Sequence, residues 1–214
     1  MLVVEELNHA LSRNAKIYCE IAGFGSFGDA YHLTKPMENG EGGYRAMLKC
    51  LVEAKAIPAE IDIINCHATS TEVGDLAELN AIKNLFGNKK LNEKSKLLES
   101  FENFAIENIE ENSDFFDKEN LKKLILSANK TFIGHLLGAA GSVESIFSIL
   151  SLKNNHIVNN INTKAPVSDN FEFNYGETDF RKMRNDNEIK YVIKNSFAFG
   201  GVNSAILFKK FQDK

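Results

Sequence analysis

One segment restricts the fold more than any other part of the chain. Residues 136–152 read LLGAAGSVESIFSILSL, which is small or apolar almost all round, with Glu144 as the only charge. A helix without a polar face belongs between two layers of structure rather than on a surface. Strand-like and helix-like segments alternate through most of the chain, as in layered α/β proteins. We therefore expect an α/β fold with this helix buried between layers.

The remaining elements follow from residue periodicity. The sequence predicts strands at 16–24 and 61–66 and helices at 43–56 and 73–86. Two further strand-like runs, YVIKNSFAF and NSAILFKKF, flank Gly200 and Gly201, which indicates a closing hairpin.

Residues 88–120 differ in character from their surroundings. They contain no Gly or Pro and carry five lysines against nine acidic residues, which accounts for the whole net charge of −4. We interpret them as an acidic insertion, dispensable for any chemistry. Within the insertion we expect an amphipathic helix docked on the surface between flexible arms, and the alternative is plain disorder. The apolar face of this helix would hold Leu97, Leu98, Phe101, Phe104, Ala105 and Ile109.

Composition excludes several classes of protein. The net charge of −4, without a long basic block, argues against nucleic-acid binding. There is no 18-residue apolar stretch and no visible targeting segment, so we expect no membrane span. Three cysteines without metal-ligand spacing argue against disulfides and a metal site and favour a reducing compartment, the cytoplasm or a plastid-type organelle.

The hexapeptide GFGSFG at 23–28 fits the GxGxxG fingerprint of dinucleotide-binding loops. Such a loop must open a helix, whereas this one is followed by Pro36 and further glycines. We therefore reject nucleotide binding.

Two histidines lie where α/β proteins place their sites. His67 directly follows the apolar run IDIINC, and His135 precedes the buried helix, with Lys130 five residues before it. Neutral histidines can donate hydrogen bonds to an oxyanion, and a nearby cation helps to keep them neutral. The alternative is that each histidine is merely structural.

Three ordered motifs carry a family resemblance: CHATSTEVGD, SANKTFIGHLLGAAGSVES and NSFAFGGVNSAILFKK. They closely resemble motifs of the β-ketoacyl-acyl carrier protein synthases, particularly those of type II fatty acid synthesis. The resemblance covers 1–214 apart from the insertion. It implies the C-terminal half of a thiolase-like duplicated α-β-α-β-α fold, and a decarboxylative condensation of an acyl chain with malonyl-acyl carrier protein.

The resemblance also implies roles for individual residues. His67 and His135 would bind the thioester carbonyl and stabilise the enolate, and Lys130 would organise them electrostatically. Thr69 and Thr71 would hold the phosphopantetheine arm, while Phe199 would gate the acyl pocket. Structural support would come from Asp75, Glu78, Glu144, Gly200, Gly201 and Asn203, with Glu144 plausibly paired to Lys130.

The chain departs from the family pattern at Cys66, Ala68, Glu72, Ala198 and Val202. Two of these changes, Ala68 and Ala198, add a methyl where the family has glycine, so we expect φ below zero or a small backbone shift there. These departures bear on substrate fit rather than on chemistry.

The family carries its acyl group on a cysteine at the start of a buried helix, and neither Cys19, Cys50 nor Cys66 matches that motif. We expect Cys19 in a strand, Cys50 in a surface helix, and all three as ordinary thiols. The chain would then be the half that lacks the nucleophile.

The implied partners are acyl carrier protein, the N-terminal synthase half and a second copy in a homodimer. No cofactor is implied beyond the phosphopantetheine that the substrates bring. The alternative is a non-catalytic partner subunit, truncated or resembling a chain-length factor.

Overall fold

The computed structural model describes residues 1–103, 113–162, 172–173, 180–182 and 188–212. Within these residues, the helices are α1 (Leu7–Ser12), α2 (Glu41–Ala54), α3 (Glu72–Phe86), α4 (Lys94–Glu102), α5 (Lys118–Lys123), α6 (Lys130–Ile133) and α7 (Ala140–Asn154). The strands are β1 (Glu20–Gly28), β2 (Ile63–Asn65), β3 (Ile125–Ser127), β4 (His156–Val158), β5 (Glu172–Phe173), β6 (Phe180–Lys182), β7 (Tyr191–Ala198) and β8 (Val202–Lys209). No helix in the described ranges has the length and apolar character needed to cross a membrane.

A mixed six-stranded sheet forms the centre of the fold, in the order β1-β8-β7-β2-β3-β5. The strands β7, β2, β3 and β5 run parallel, while β8 pairs antiparallel with both β7 and β1. The hairpin predicted around Gly200 and Gly201 is confirmed as β7–β8. A separate antiparallel pair joins β4 to β6.

The sheet is buried on both faces. Along β2, Ile63 belongs to the apolar cluster on the α7 side, and Ile64 belongs to the cluster beneath α2 and α3. Val192 and Ile193 of β7 divide in the same way. Successive side chains of a strand point to opposite faces, so these apolar runs fit a sheet that is covered by helices on two sides.

Helix α7 covers one face of the sheet and ends at Asn154, two residues beyond the predicted boundary. Ile149 and Leu152 pack into the apolar cluster on that face. On the other side of the helix Leu150 is 40% exposed. The expectation that α7 is buried between two layers is therefore not met within the described ranges, where its Leu150 side is left without a covering layer.

The segment at 88–120 packs against the core instead of lying apart from it. A helix does form there, α4, and its Leu97 is buried with Phe116 in the cluster beneath α2 and α3. Leu98 is 46% exposed and does not share the packed face that the periodicity predicted. The predicted positions Phe104, Ala105 and Ile109 lie outside the described residues.

The two ends of this segment are close together. The Asp117 amide donates to the Gly87 carbonyl at 2.8 Å, and Asn120 Nδ2 donates to the Phe86 carbonyl at 2.7 Å. A short connection could therefore bridge these positions. That the segment is an insertion without a part in chemistry stays a prediction.

The rejected GxGxxG match lies inside β1, where its glycines serve close packing. A Cβ on Gly25 would lie 2.0 Å from the Ala46 carbonyl oxygen of α2, and one on Gly23 would lie 2.3 Å from the Cys50 oxygen. The glycines let helix and strand backbones approach each other, so they do not form a phosphate-binding loop.

We expect Gly25→Ala to destabilise the fold by about 2 kcal/mol or more, because the added methyl meets helix backbone that cannot move away cheaply. The control is Gly28→Ala in the same strand, where an added Cβ meets nothing within 4 Å. Urea unfolding of both variants checks this. Equal losses of unfolding free energy would contradict the packing argument.

Candidate active site

The three motifs singled out in the sequence meet at one edge of the sheet. His67 follows β2 by two residues, Lys130 begins α6 three residues after β3, and Phe199 directly follows β7. These three strands are parallel neighbours, so their carboxyl ends lie on the same edge. Open α/β sheets place ligands at that edge.

His67 and His135 form a ring pair. Their centroids lie 5.4 Å apart and the rings are nearly perpendicular, at 83°. The Leu137 amide donates to His135 Nδ1 at 3.2 Å, so in the neutral ring the proton sits on Nε2. His135 therefore presents an N–H donor on the side of the ring away from its own backbone.

The loop that carries His67 is held by a buried carboxylate, Glu78 of α3. The amides of His67 and Ala68 donate to its two oxygens, each at 2.9 Å. Asn195 Nδ2 of β7 donates to Glu78 Oε1 at 3.0 Å. Charge-assisted hydrogen bonds of this kind are the strong ones, so the three donors fix the carboxylate and the backbone of the loop that carries His67.

A second buried carboxylate, Glu144 of α7, holds Lys130. Lys130 Nζ lies 2.5 Å from Glu144 Oε1, the pairing that the sequence suggested. The other oxygen, Oε2, lies 2.7 Å from Nζ of Lys194 on β7. Glu144 is thus bound by one lysine on each oxygen.

Electrostatics keep His67 neutral. Burial is the largest cause lowering its pKa, to about 3, and the positive charges of Lys130 and Lys194 lower it further. The cation expected from the sequence does contribute, but desolvation of the imidazolium is the larger effect. His67 is therefore an uncharged hydrogen-bonding group at neutral pH.

The residues between His67 and α3 form a polar turn. The hydroxyls of Thr69 and Thr71 lie 3.1 Å apart, and the Ser70 amide donates to Asp75 Oδ1 at 3.2 Å. Burial and then the neighbouring Glu78 carboxylate raise the pKa of Asp75 to about 6.

Phe199 stands in the turn between β7 and β8 and is 80% exposed. Gly200 and Gly201 follow it with φ of 82° and 70°, conformations that favour glycine. The Gly200 amide donates to the Leu33 carbonyl at 2.7 Å. Asn203 supports the turn from below, because its buried Nδ2 donates to Asp29 Oδ1 at 2.7 Å.

The two alanines that replace family glycines behave differently. Ala68 has a positive φ of 36°, so of the two expected outcomes, a φ below zero or a small backbone shift, the first does not occur there. Ala198 ends β7 and lacks a positive φ. The Glu78 carboxylate, which accepts from the Ala68 amide, holds the strained residue in place.

The cysteines are not ordinary thiols. Burial raises the pKa of Cys19 to about 11 and that of Cys50 to about 12, and it raises the pKa of Cys66 well above the usual value. Cys50 lies in the core, so its predicted surface position is wrong. Cys19 precedes β1 by one residue rather than lying within a strand.

In the described ranges, no cluster of three or more His, Cys, Asp or Glu could hold a metal ion.

Sequence reasoning missed Lys194 and Asn195, which bind the two buried carboxylates. The available signal was a lysine in the middle of a predicted strand, directly after the apolar Val192 and Ile193. A lysine at such a position is seldom buried unless it is paired.

Comparison with known families and relatives agrees with the motifs. The family model described as the beta-ketoacyl synthase C-terminal domain matches residues 18–102 and 106–164. The chain is 38% identical over 215 residues to 3-oxoacyl-acyl-carrier-protein synthase 2 of Staphylococcus aureus strain COL, and 36% identical over 210 residues to the synthase 2 of Vibrio harveyi. The alignments include 99% and 98% of this chain but only 42% of each relative.

Solved structures agree on the fold. A ketosynthase from a type II polyketide system, in complex with its acyl-carrier protein, superposes with a TM-score of 0.75 at 25% identity. A beta-ketoacyl synthase from Burkholderia phymatum gives a TM-score of 0.72 at 29% identity. Each comparison covers 97% of this chain, and 42% and 41% of those chains, respectively. The predicted thiolase-like α/β class is confirmed.

The lowered pKa of His67 predicts a pH effect on stability. Below about pH 6.5 this ring gains a proton in the unfolded chain but not in the folded chain, where its pKa is about 3. The free energy of unfolding therefore decreases as the pH is lowered. When the pH is lowered from about 6 to about 5, we expect the free energy of unfolding of wild type to decrease by about 1 kcal/mol more than that of His67→Gln.

Urea unfolding at several pH values measures this, with His9→Gln on exposed α1 as the control. The same pH dependence in wild type and His67→Gln would mean that His67 is protonated in the folded chain.

Proposed function

The chain belongs to the beta-ketoacyl synthase family through that family's C-terminal domain, and on this basis we propose that it supplies the histidine–histidine–lysine half of a condensing site. The reaction is the condensation of an acyl chain with malonyl-acyl carrier protein in fatty acid elongation, with loss of carbon dioxide. The observation that carries the proposal is the His67–His135 pair at the carboxyl edge of the sheet, backed by the Lys130–Glu144 ion pair.

The first step is decarboxylation of the malonyl group. The bond between the carboxylate and the neighbouring carbon breaks, and its electron pair passes into an enolate whose charge rests on the thioester oxygen. N–H groups of His67 and His135 donate to that oxygen, and donors that are fixed in advance stabilise developing charge without reorganisation. The low pKa of His67 supports this role, because the ring stays a neutral donor throughout the step.

The second step joins the two carbon chains. The enolate carbon attacks the carbonyl of an acyl thioester, a carbon–carbon bond forms, and the thiolate leaves with the electron pair of the broken carbon–sulfur bond. The thiol comes from outside this chain, in our proposal from the N-terminal synthase half. Burial raises the pKa of each cysteine present here, so none is activated as a nucleophile.

The substrate arrives on acyl carrier protein. We assign the paired hydroxyls of Thr69 and Thr71 to its phosphopantetheine arm, and Phe199 to the entrance of the acyl pocket. The exposure of Phe199 and the left-handed glycines after it support a turn that can change position. The phosphopantetheine comes with the substrate, so the proposal needs no separate cofactor.

The open side of α7 supports a second protein layer. Leu150 of α7 and Leu137 in the turn before it are exposed apolar residues, and most of the helix surface around them is small or apolar rather than charged. We propose that the N-terminal half covers this side, and that the complete synthase forms a homodimer.

In a complete synthase that contains this half, His67→Ala or His135→Ala should lower malonyl decarboxylation by about two orders of magnitude or more, because each removes an oxyanion donor worth roughly 3 kcal/mol. Carbon dioxide release measures the effect, and thermal melting confirms that each variant is folded. His9→Ala on exposed α1 is the matched control.

Near-normal release from either site variant would remove the assignment. If both folded variants kept full activity, the alternative of a non-catalytic partner subunit would be favoured, since such a subunit has no need of the two donors.

Residues 1–214 by themselves should form no acyl-enzyme. With pKa values of about 11 and about 12 at Cys19 and Cys50, and a still strongly raised pKa at Cys66, almost no thiolate exists at neutral pH. Mass spectrometry after incubation with acyl carrier protein that carries a labelled acyl group is the test. A stoichiometric adduct that turns over on addition of malonyl carrier protein would overturn the proposed division of the site, and Cys66 is the first residue to check.

A further inference from the structure

Lys194 is the one lysine among the described residues that is buried as a whole residue, at 2% exposure. Its Nζ lies 2.7 Å from Glu144 Oε2 and donates to Ser196 Oγ at 3.1 Å and to the Asn195 carbonyl. Burying a cation this completely is costly, and burial accordingly lowers the pKa of Lys194 while Glu144 opposes that shift. None of the roles assigned so far requires this lysine.

The sheet register explains why Lys194 faces the site. Lys194 is the register partner of Asn65 on β2, so both side chains point to the same face of the sheet. Asn65 Nδ2 donates to the Glu144 carbonyl at 3.0 Å and to Ser148 Oγ at 2.9 Å, which places that face against α7. The position of Lys194 is therefore fixed by β-sheet pairing close to His67, which lies two residues beyond Asn65.

The second lysine changes the charge of the cluster. Lys130 and Glu144 alone would form a neutral pair, whereas Lys130, Glu144 and Lys194 together carry a net charge of +1. The charged groups that act on Lys194 are Glu144, Lys130 and Glu78. Both lysines act as positive charges on the His67 ring. Without Lys194, Glu144 would largely cancel the field of Lys130 at that ring.

Resting on the condensing function proposed above, we propose that Lys194 is a positioning residue of the site: it occupies the second oxygen of Glu144 and leaves a net positive charge behind the histidine pair. It touches no reacting atom. It acts through Glu144, whose carboxylate it holds in the orientation that binds Lys130, and through the field at the oxygen to which the histidines donate.

Substitutions of Lys194 and of Glu144 should affect stability differently. Lys194→Met leaves a balanced Lys130–Glu144 pair, and an apolar side chain of similar length fills the space. Glu144→Gln leaves two buried lysines without their carboxylate, and removing one partner of a buried ion pair is strongly destabilising. Lys194→Met should therefore lower the urea midpoint much less than Glu144→Gln does.

The deciding measurement is the protonation of His67 in the full chain, followed by the ring carbon shifts in NMR as pH falls from about 6 to about 2, a range that includes its lowered pKa of about 3. In Lys194→Met the loss of one positive charge should raise the proton affinity of His67 about tenfold, so that the ring gains its proton about one pH unit earlier. Lys209→Met is the control, because Lys209 lies on neighbouring β8 with its side chain 43% exposed. Lys194→Gln serves as a second variant if the methionine variant does not stay folded.

Glu144→Gln separates charge from packing. It disrupts the same cluster but leaves more positive charge beside His67. The pH at which His67 becomes protonated should therefore be no higher than in wild type. A purely structural role for Lys194 predicts that both variants loosen the site and shift His67 in the same direction. That result, or a His67 titration in Lys194→Met that matches Lys209→Met, would overturn the proposal.

A catalytic readout completes the test. In a complete synthase that carries this half, Lys194→Met should lower kcat for malonyl decarboxylation about tenfold with KM unchanged, because the field acts on the enolate and not on binding. An unchanged kcat would overturn the role in the reaction. If the proposed condensing function is wrong, the His67→Ala and His135→Ala variants will show it. The NMR titration of His67 does not depend on that function and still tests the effect of Lys194.

Discussion

A carboxylate inside a protein has to be paired, and this site depends on two that are. Glu78 and Glu144 lie on opposite sides of the sheet, one on α3 and one on α7. Consecutive residues of β7 reach them, Asn195 on one side and Lys194 on the other. Because alternate residues of a strand point to opposite faces, a single dipeptide in the middle of β7 ties both helices to the sheet.

Each carboxylate positions one part of the proposed machinery. Glu78 binds the backbone of the His67 loop, including Ala68 in its strained conformation, and Glu144 binds Lys130. The resulting environment differs for the two histidines. His67 is mostly desolvated before any ligand arrives, whereas His135 is exposed and is oriented by the Leu137 amide at its Nδ1 and by its ring contact with His67. A carbonyl that bound between them would displace water mainly from His135, so one donor is ready in advance and the other completes the site.

The sequence predicted much of this arrangement because its strongest patterns are local. The apolar run 136–152, the hairpin around Gly200 and the position of His67 after a strand each follow from residues close together in the chain. The misses involve residues whose environment is set by distant partners. Cys50 lies in a helix with the spacing of a surface helix, but β1 packs closely against that helix through Gly23 and Gly25 and buries it. A lysine in a strand is usually exposed, but pairing with Asn65 directs Lys194 towards α7. Ala68 keeps a positive φ because Glu78, ten residues later, holds its amide.

The buried surroundings of His67 are unsuited to a thiolate. Cys66 lies next to His67, yet burial and the Glu78 and Asp75 carboxylates raise its pKa, and the two lysines offset only part of that rise. A reactive cysteine needs a net positive environment with some access to solvent, such as a helix N-terminus. The carboxylates that position the His67 loop therefore work against thiolate chemistry beside it. In the proposed reaction the enolate and the thiolate are both anions, but the enolate oxygen accepts hydrogen bonds from the histidine N–H groups, whereas a thiol at Cys66 is buried beside the Glu78 and Asp75 carboxylates. The acyl-carrying thiol is therefore better placed on a separate element, away from those carboxylates.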